Sequence, residues 1–361
     1  MADIRVLRII SDLQVGGVQR QMLRTAGYLR QWGVETEVCC QKYLGPLAKI
    51  YEEQNYQVHL IPFKTRMQPS ALLALRKLAV QGNFHIVHAH QYQSCMGANY
   101  ALFGNRRVKI VNSYHSFQPV HSASQSFQLR LTRGKASRFI AVSEAVKQPL
   151  LKAGIPDKKI VVIHNGVEIH GDPTPIPPRK ADEPIRLLYA GRFVKQKRLE
   201  LMLDVIERCA QREIPVHLTM LGDGPTFGRI ARLINQRNLT PYIDTPGVSH
   251  EVPAWLEKSH LYLSTSEREG FANSLLECSA AGRGFVASDI PPHREMQNGT
   301  QCGILAPDDP DAYADALKDL AAHPEKIQTM GTAAFARVQE FSDENTARKY
   351  LDLYRDILGS E

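Results

Sequence analysis

The stretch "LYLSTSEREGFANSLLECSAAG", residues 261–282, places a strand pattern, a glycine turn and a helical pattern one after another. "LYLSTS" has the length and apolar content of a buried strand, and helical spacing begins near Ala272. Glutamates lie eight positions apart, Glu269 in the turn and Glu277 in the second turn of the predicted helix. A strand that leads directly into a helix is typical of βαβ units, so this stretch predicts a parallel sheet.

The same alternation of short apolar and longer amphipathic segments extends along the chain. It runs from "IRVLRII" to "KIVVIHNG" in residues 1–168 and resumes at "IRLLYAGR" in residues 185–340. We therefore predict an α/β fold with two Rossmann-like, doubly wound domains that face a central cleft. Residues 169–184 contain five prolines and no periodicity, which indicates a linker. Helical spacing in residues 341–361 predicts a final helix that packs back toward the N-terminal domain.

The composition is that of a globular protein. The chain has 361 residues, 43% of them apolar and 22% charged, a length that suggests two domains. No segment offers the roughly 18 uncharged apolar residues of a spanning helix, and the charged N-terminus is unlike a secretory signal. Six cysteines are scattered without a C-x-x-C pair, which argues against a disulfide framework and a zinc site. We expect a cytoplasmic protein without a metal.

Charge is distributed unevenly between the two halves. Residues 1–170 contain 22 Lys and Arg against 9 Asp and Glu, a net charge of +13, which leaves −6 for residues 171–361. A basic half attracts an anionic partner, such as nucleic acid, an acidic bilayer or a phosphorylated acceptor. A solvated basic face without a dedicated partner is the alternative.

The second half contains a candidate anion site. Ligands of open α/β sheets bind beyond the carboxyl ends of the strands. The free amides at the helix start near Ala272 suit a phosphate, and Glu277 lies far enough along the helix to accept the hydroxyls of an attached ribose. Upstream, Arg192 and Lys197 follow another predicted strand and can neutralise a diphosphate. A surface glutamate and a solvated basic loop are the alternatives.

The first half offers weaker signals. Gly16 and Gly17 form a turn that opens a helix, yet the G-x-G-x-x-G pattern is missing, so dinucleotide binding is disfavoured. His115 and Asn165 each follow a predicted strand, and Gly222 does the same in "LGDGP". Each of these positions is an ordinary turn when taken singly.

Taken together, "VGGVQR", "YHS", "HNGVE", "AGRFVKQKR", "LGDGP" and "SEREGFANSLLECSAAG" resemble the retaining glycosyltransferases of family 4, which have the GT-B fold. The resemblance implies that a sugar moves from a UDP- or GDP-linked donor, with no metal or cofactor. It also implies a front-face displacement, in which the departing phosphate takes the acceptor's proton. The chain departs from the family at Arg198, where glycine is usual, and at Gly284, where proline is usual.

The resemblance also implies roles for individual residues. Arg192 and Lys197 would hold the donor diphosphate, Glu277 the ribose and Glu269 the donor sugar. The implied catalytic positions are Glu269, His115, Arg192 and Lys197. The implied donor-binding positions are Gly16, Gly17, Arg192, Lys197, Gly222, Gly270, Phe271, Ala272, Asn273 and Glu277. His115 and Asn165 would contact the acceptor.

In this fold the N-terminal domain binds the acceptor, and its charge of +13 fits a polyprenyl-diphosphate-linked sugar or a lipopolysaccharide core. The expected process is surface glycan biosynthesis, and the basic half is expected to contact an anionic membrane at its surface. Two segments are candidates for that contact, one with Lys64, Arg66, Arg76 and Lys77 and one with Arg130, Arg133, Lys135 and Arg138. A nucleotide-sugar 2-epimerase is the alternative enzyme. A nucleic-acid-binding protein is disfavoured because no such motif occurs.

Overall fold

The computed structural model of the chain describes residues 4–65, 68–116, 123–180, 183–249 and 251–359. Two compact units divide the chain: residues 1–166 together with 343–361, and residues 167–342. Each unit is built around a parallel sheet with helices between successive strands. The predicted α/β class with two doubly wound units is therefore confirmed.

The strands are β1 (Ile4–Asp12), β2 (Val34–Tyr43), β3 (Val58–Leu60), β4 (Ile86–His90), β5 (Lys109–Tyr114), β6 (Arg138–Ala141), β7 (Ile160–Val162), β8 (Ile185–Ala190), β9 (Val216–Leu221), β10 (Ile243–Gly247), β11 (Leu261–Ser264), β12 (Gly284–Ser288) and β13 (Gly303–Ala306). The helices are α1 (Gly17–Gln31), α2 (Leu47–Glu53), α3 (Pro69–Gln81), α4 (Gln91–Ala101), α5 (Ala123–Thr132), α6 (Glu144–Lys152), α7 (Leu199–Gln211), α8 (Phe227–Gln236), α9 (Val252–Lys258), α10 (Asn273–Ala280), α11 (Pro291–Gln297), α12 (Pro310–Ala322), α13 (Pro324–Val338) and α14 (Asp343–Gly359).

The strand order reverses once in each sheet. The first sheet runs β3-β2-β1-β4-β5-β6-β7 and the second runs β10-β9-β8-β11-β12-β13. The reversal lies between β1 and β4 in the first unit and between β8 and β11 in the second. Ligands of open parallel sheets bind at such points, beyond the carboxyl ends of the strands. The loops after β8 and β11 carry Lys197 and Glu269, so the topology puts both at the expected edge.

Alternate residues of β5 face opposite sides of the first sheet. Val111 belongs to the apolar cluster that includes Tyr350 and Tyr354 of α14. The amide of Asn112 instead donates a hydrogen bond to Asn99 in α4, at 3.2 Å. The C-terminal helix therefore covers the face opposite to α4, beside α1.

The proline-rich residues 169–184 lie in the second unit, where a fully buried arginine fixes them. The guanidinium of Arg283 donates to the carbonyl oxygens of Thr174 at 2.7 Å and Pro175 at 3.1 Å. Its Nε donates to those of Leu256 and Ser259, both at 2.9 Å. Carbonyl oxygens thus solvate the buried cation in place of water and join the proline segment to the loops around α9.

Within the described ranges, no helix combines the length and the apolar content that a membrane span requires.

Candidate functional site

The end of β8 is tied directly to β11. The hydroxyl of Tyr262 donates to the Ala190 carbonyl at 2.8 Å, and the Ala190 N–H donates back to that hydroxyl at 3.1 Å. Buried polar groups of this kind are stable only when they are paired, so the two strand ends hold a fixed separation. The loops that follow β8 and β11 therefore begin at fixed positions.

The two loops meet in a contact between side chains that are far apart in the sequence. Lys197 Nζ lies 2.5 Å from Glu269 Oε1, and the two side chains are only 16% and 13% exposed. Limited access to water strengthens a charged hydrogen bond relative to one at the surface, but it also means that neither charge tolerates losing its partner. The structure therefore brings together two of the predicted site residues.

Thr265 fixes the backbone that carries Lys197. Its hydroxyl lies 3.0 Å from the carbonyl oxygens of both Lys197 and Arg198. The N–H of Glu267 also donates to the Gln196 carbonyl at 2.9 Å. These bonds join the loop after β8 to the loop after β11, so the ammonium and the carboxylate are oriented before any ligand arrives.

Arg198 occupies the left-handed region of the backbone, with φ 46° and ψ 50°. A side chain there costs about 1–2 kcal/mol relative to ordinary helical geometry, and glycine avoids that cost. The arginine forms interactions that glycine could not: its Nε donates to the Thr265 carbonyl at 3.0 Å, and its guanidinium pairs with Asp308. The departure from the family pattern thus adds a link between the loops after β8, β11 and β13.

His293 is a neighbour of the ion pair between Lys197 and Glu269. It was not among the predicted site residues. Its Nδ1–H donates to the Ser288 carbonyl at 2.7 Å, which leaves Nε2 as the unprotonated nitrogen. Burial lowers the pKa of His293 to about 4, with Glu269 opposing the shift and Lys197 adding to it. The imidazole is therefore neutral near pH 7. Its position after β12, in "SDIPPHREM", is the only signal that the sequence gives.

The predicted helix near Ala272 begins at Asn273, as α10. The N–H of Asn273 donates to the Phe271 carbonyl at 2.9 Å, so a ligand would compete with this bond for that amide. Phe271 itself is buried against Phe341, with ring centroids 5.4 Å apart. Glu277 is exposed on α10, and Gly270 precedes Phe271 in the turn. The contact between the two aromatic rings thus anchors the turn.

Arg192 and Gly222 lie in the adjoining loops. The carbonyl of Arg192 accepts a bond from the Tyr189 hydroxyl at 3.0 Å, while its exposed guanidinium forms no ion pair within the described residues. Gly222 has φ 131°, and a Cβ there would lie 1.9 Å from the Gly191 carbonyl oxygen. The glycine therefore lets the loop after β9 approach the loop after β8, which is a packing requirement.

In the first unit, the loop after β1 leads directly into α1. Gly16 is the N-cap residue of α1, with extended backbone, and Gly17 is the first residue of the helix. No acidic residue occupies the first turn of α1. Helix starts of this kind have unpaired amides and a positive dipole end, which favour an anion.

His115 lies at the end of a row of histidines at the carboxyl ends of β4 and β5. Its Nε2 is 3.1 Å from His90 Nδ1, and the His90 ring stacks on His88 with centroids 4.2 Å apart. His88 Nδ1 and Nε2 each lie 2.6 Å from a hydroxyl, of Tyr354 and Ser113 respectively. The row connects β4 and β5 to α14. His88 and His90, from "HIVHAH", were not predicted as site residues.

Burial keeps these histidines neutral. It lowers the pKa of His115 to about 4, with the Asn165 side chain acting in the opposite sense, and it holds the pKa values of His88 and His90 well below the usual range. Asn165 is itself buried. The predicted pair His115 and Asn165 therefore lies together in the first unit, where it can exchange hydrogen bonds without carrying charge at neutral pH.

Solved structures with the same fold include a glycosyltransferase from Rickettsia africae, with a TM-score of 0.85, 21% identity and complete coverage of both chains. HepE from Anabaena, solved in complex with UDP and glucose, has a TM-score of 0.82 and 18% identity over 99% of this chain and 100% of that one. Together with the two parallel sheets, these similarities establish the GT-B fold.

Family models cover both units. Residues 15–170 match the model described as Glycosyltransferase Family 4, and residues 184–323 match the one described as Glycosyl transferases group 1. The chain belongs to glycosyltransferase family 4 and is a glycosyltransferase.

Curated relatives are similar over most of their length. GDP-mannose:cellobiosyl-diphosphopolyprenol alpha-mannosyltransferase of Xanthomonas oryzae pv. oryzae is 26% identical over 81% of this chain and 78% of its own. The capsular polysaccharide biosynthesis glycosyltransferase CapH of Staphylococcus aureus is 25% identical over 81% of this chain and 83% of its own.

Substitutions at Arg198 should separate backbone strain from side-chain bonding. Arg198→Ala loses the bonds to Thr265 and Asp308 but keeps the energetic cost of a side chain in the left-handed backbone region. Arg198→Gly loses the same bonds and also removes that cost. We expect the glycine variant to be more stable than the alanine variant by about 1 kcal/mol, measured by urea unfolding. Equal stability of the two variants would show that position 198 is not strained.

Acid should destabilise the protein through His293. Its pKa is about 4 in the folded chain, against about 6.5 when unfolded, so the unfolded state binds the extra proton first as the pH falls. The stabilising contribution is complete above pH ~6.5 and is lost progressively down to pH ~4, on the order of 3 kcal/mol.

We expect His293→Asn, which retains a donor for Ser288, to show a smaller loss over this range when the free energy of unfolding is measured against pH. His170→Gln, at a side chain 79% exposed, is the matched control and should follow the wild type. An unchanged profile for His293→Asn would contradict the role given to His293.

Proposed function

We propose that the protein is a retaining hexosyltransferase that moves a sugar from a UDP- or GDP-linked donor to a glycan or lipid-linked acceptor in surface polysaccharide or lipopolysaccharide biosynthesis. The observation that carries the proposal is the partly buried contact between Lys197 and Glu269 at the reversal of strand order in the second sheet. The relatives support it, since their names include a GDP-mannose donor, a diphosphopolyprenol acceptor and capsular polysaccharide biosynthesis. UDP and glucose were found bound to HepE.

Lys197 is suited to the leaving group. Its ammonium is held by Glu269 and by a backbone that Thr265 fixes, so little reorganisation is required when a diphosphate binds. The exposed guanidinium of Arg192, five residues earlier in the chain, can add a second positive charge. These two cations can offset the charge that develops on the departing phosphate, and this is the basis for proposing transfer without a metal.

Glu269 then has two roles. It neutralises Lys197 before the donor arrives, and its carboxylate oxygens can accept hydrogen bonds from hydroxyls of the donor sugar. Glu277, exposed on α10, can accept both hydroxyls of the donor ribose. In the first unit, the neutral imidazole of His115 can exchange hydrogen bonds with the acceptor without adding a charge.

The proposed transfer is a front-face displacement. The bond between the anomeric carbon and the phosphate oxygen breaks, and the acceptor hydroxyl oxygen bonds to the same face of that carbon. The hydroxyl proton passes to the departing phosphate, so the protein need not supply the base. Anomeric configuration is retained, which nuclear magnetic resonance of the product would detect. An inverted product would contradict this mechanism, and isomerised donor without an acceptor would favour the epimerase.

Removing the ammonium should reduce turnover strongly. We expect Lys197→Met to lower kcat by about 10²-fold or more, because one fixed charge at the leaving group is lost. Lys195→Met is the matched control: Lys195 is exposed in the same turn and should keep near wild-type turnover. Circular dichroism would establish that both variants fold. Equal kcat values for the two variants would contradict the role of Lys197.

Removing the Glu277 carboxylate should weaken nucleotide binding. We expect Glu277→Ala to raise the Kd for the preferred nucleoside diphosphate about tenfold or more, because two hydroxyl contacts are lost. Calorimetric titration with UDP and GDP measures this change and also identifies the base. Glu267→Ala, an exposed carboxylate in the turn before Glu269, is the control and should bind like the wild type. Unchanged Kd values for Glu277→Ala would refute the ribose contact.

A further inference from the structure

The first unit exposes large apolar side chains on α3, on α5 and just after the end of α4. Leu73, Phe103, Phe127 and Leu131 are 67%, 63%, 61% and 64% exposed. They are the most exposed large apolar side chains among the described residues of this unit. Single exposed leucines are common, but several on adjoining helices indicate an interaction surface. We call the surface formed by these four side chains and the cations around them the α3–α5 surface.

Direct contacts place these helices beside one another. Arg76 of α3 donates to the carbonyl oxygens of Ala101 at 3.1 Å and Phe103 at 3.0 Å, at the end of α4. Lys135, just beyond α5, holds its Nζ 4.8 Å from the centre of the Phe103 ring. The end of α4 therefore lies between α3 and the end of α5.

The positions of the remaining apolar side chains follow from helix geometry. Phe127 and Leu131 are four residues apart on α5 and share one side of the helix, and Leu131 lies one turn before Lys135. Leu73 lies three residues before Arg76, on the neighbouring turn of α3. All four thus lie on the helical layer opposite to α14.

The charge of this region has one sign. Residues 54–143 contain eleven Lys and Arg and no Asp or Glu. Arg76, Lys77, Arg130 and Lys135 accordingly form no ion pair with any described residue. Arg66, one of the cations predicted for membrane contact, lies outside the described residues. The α3–α5 surface therefore presents apolar groups within a field of uncompensated positive charge.

We propose that the α3–α5 surface docks the protein on an anionic lipid bilayer. Phe and Leu side chains can enter the boundary between headgroups and acyl chains, while the cations bind the lipid phosphates. A nucleic acid would use the cations but would leave Leu73 and Leu131 in water. This inference rests on the proposed function, because a lipid-linked acceptor would be presented by the bilayer on which the enzyme sits.

The test is binding of the full chain, without sugar nucleotide, to vesicles of phosphatidylcholine with and without phosphatidylglycerol. We expect binding only to the vesicles that contain phosphatidylglycerol, with an affinity that falls as salt is added. Arg130→Gln with Lys135→Gln should weaken binding roughly 25-fold, about fivefold for each charge. Phe103→Ser with Phe127→Ser should weaken it about tenfold or more and leave the salt dependence in place.

Matched controls remove positive charges or an apolar side chain at positions outside the α3–α5 surface. Lys349→Gln with Arg355→Gln removes two charges from the exposed side of α14, and Val248→Ser removes a side chain 64% exposed in the second unit. Both should bind vesicles like the wild type. As a second readout, tryptophan in Phe103→Trp should be quenched by brominated lipid beyond the wild-type level, which tests insertion even if the serine variant folds poorly.

Equal vesicle binding by all variants, or no added quenching in Phe103→Trp, would overturn the proposal. So would binding of an oligonucleotide at physiological salt that exceeds vesicle binding and is unaffected by Phe103→Ser with Phe127→Ser. Calorimetric titration with UDP and GDP separates the two proposals. If the wild-type chain binds nucleotide but does not bind anionic vesicles, the docking surface alone is refuted. If it binds the vesicles but no nucleotide, the proposed function alone is refuted.

Discussion

The contact between Lys197 and Glu269 is the central interaction of the candidate site in the second unit. Removing both charges from water is unfavourable, and the loss is offset only if the two groups meet at hydrogen-bonding distance. Their loops must therefore be fixed independently of the pair, and Thr265 does this by bonding to the backbone of the loop after β8. Gly222 lets a third loop approach closely enough to support the same region.

The two units supply different electrostatics. The second unit presents charged groups at its strand ends, where they suit a diphosphate. The first places neutral histidines at the corresponding edge, because burial opposes their protonation. Its positive charge lies instead on the α3–α5 surface, away from the face that α14 covers. A glycosyltransferase of family 4 that draws on lipid-linked acceptors would use both arrangements, one for the donor and one for the bilayer.

Part of the site could be predicted from local patterns and part could not. Lys197, Glu269 and the start of α10 follow predicted strands, and the position of a turn after a strand is a local property of the sequence. His293 and Thr265 are ordinary polar residues in their local context, and only the neighbours that the fold brings to them give them a role. Gly222 stays a predicted ligand contact, and the structure adds a packing requirement at this position that the sequence pattern did not indicate.

Periodicity and short motifs were sufficient to predict the alternation of strands and helices, the parallel sheets and the resemblance to family 4. The strand order and the pairing of Lys197 with Glu269 across 72 residues became evident only from the folded chain, which also shows that the predicted final helix belongs to the first unit. The same holds for His88 and Tyr354, which are 266 residues apart. Such contacts depend on which surfaces the folded chain buries together, and no local periodicity specifies that.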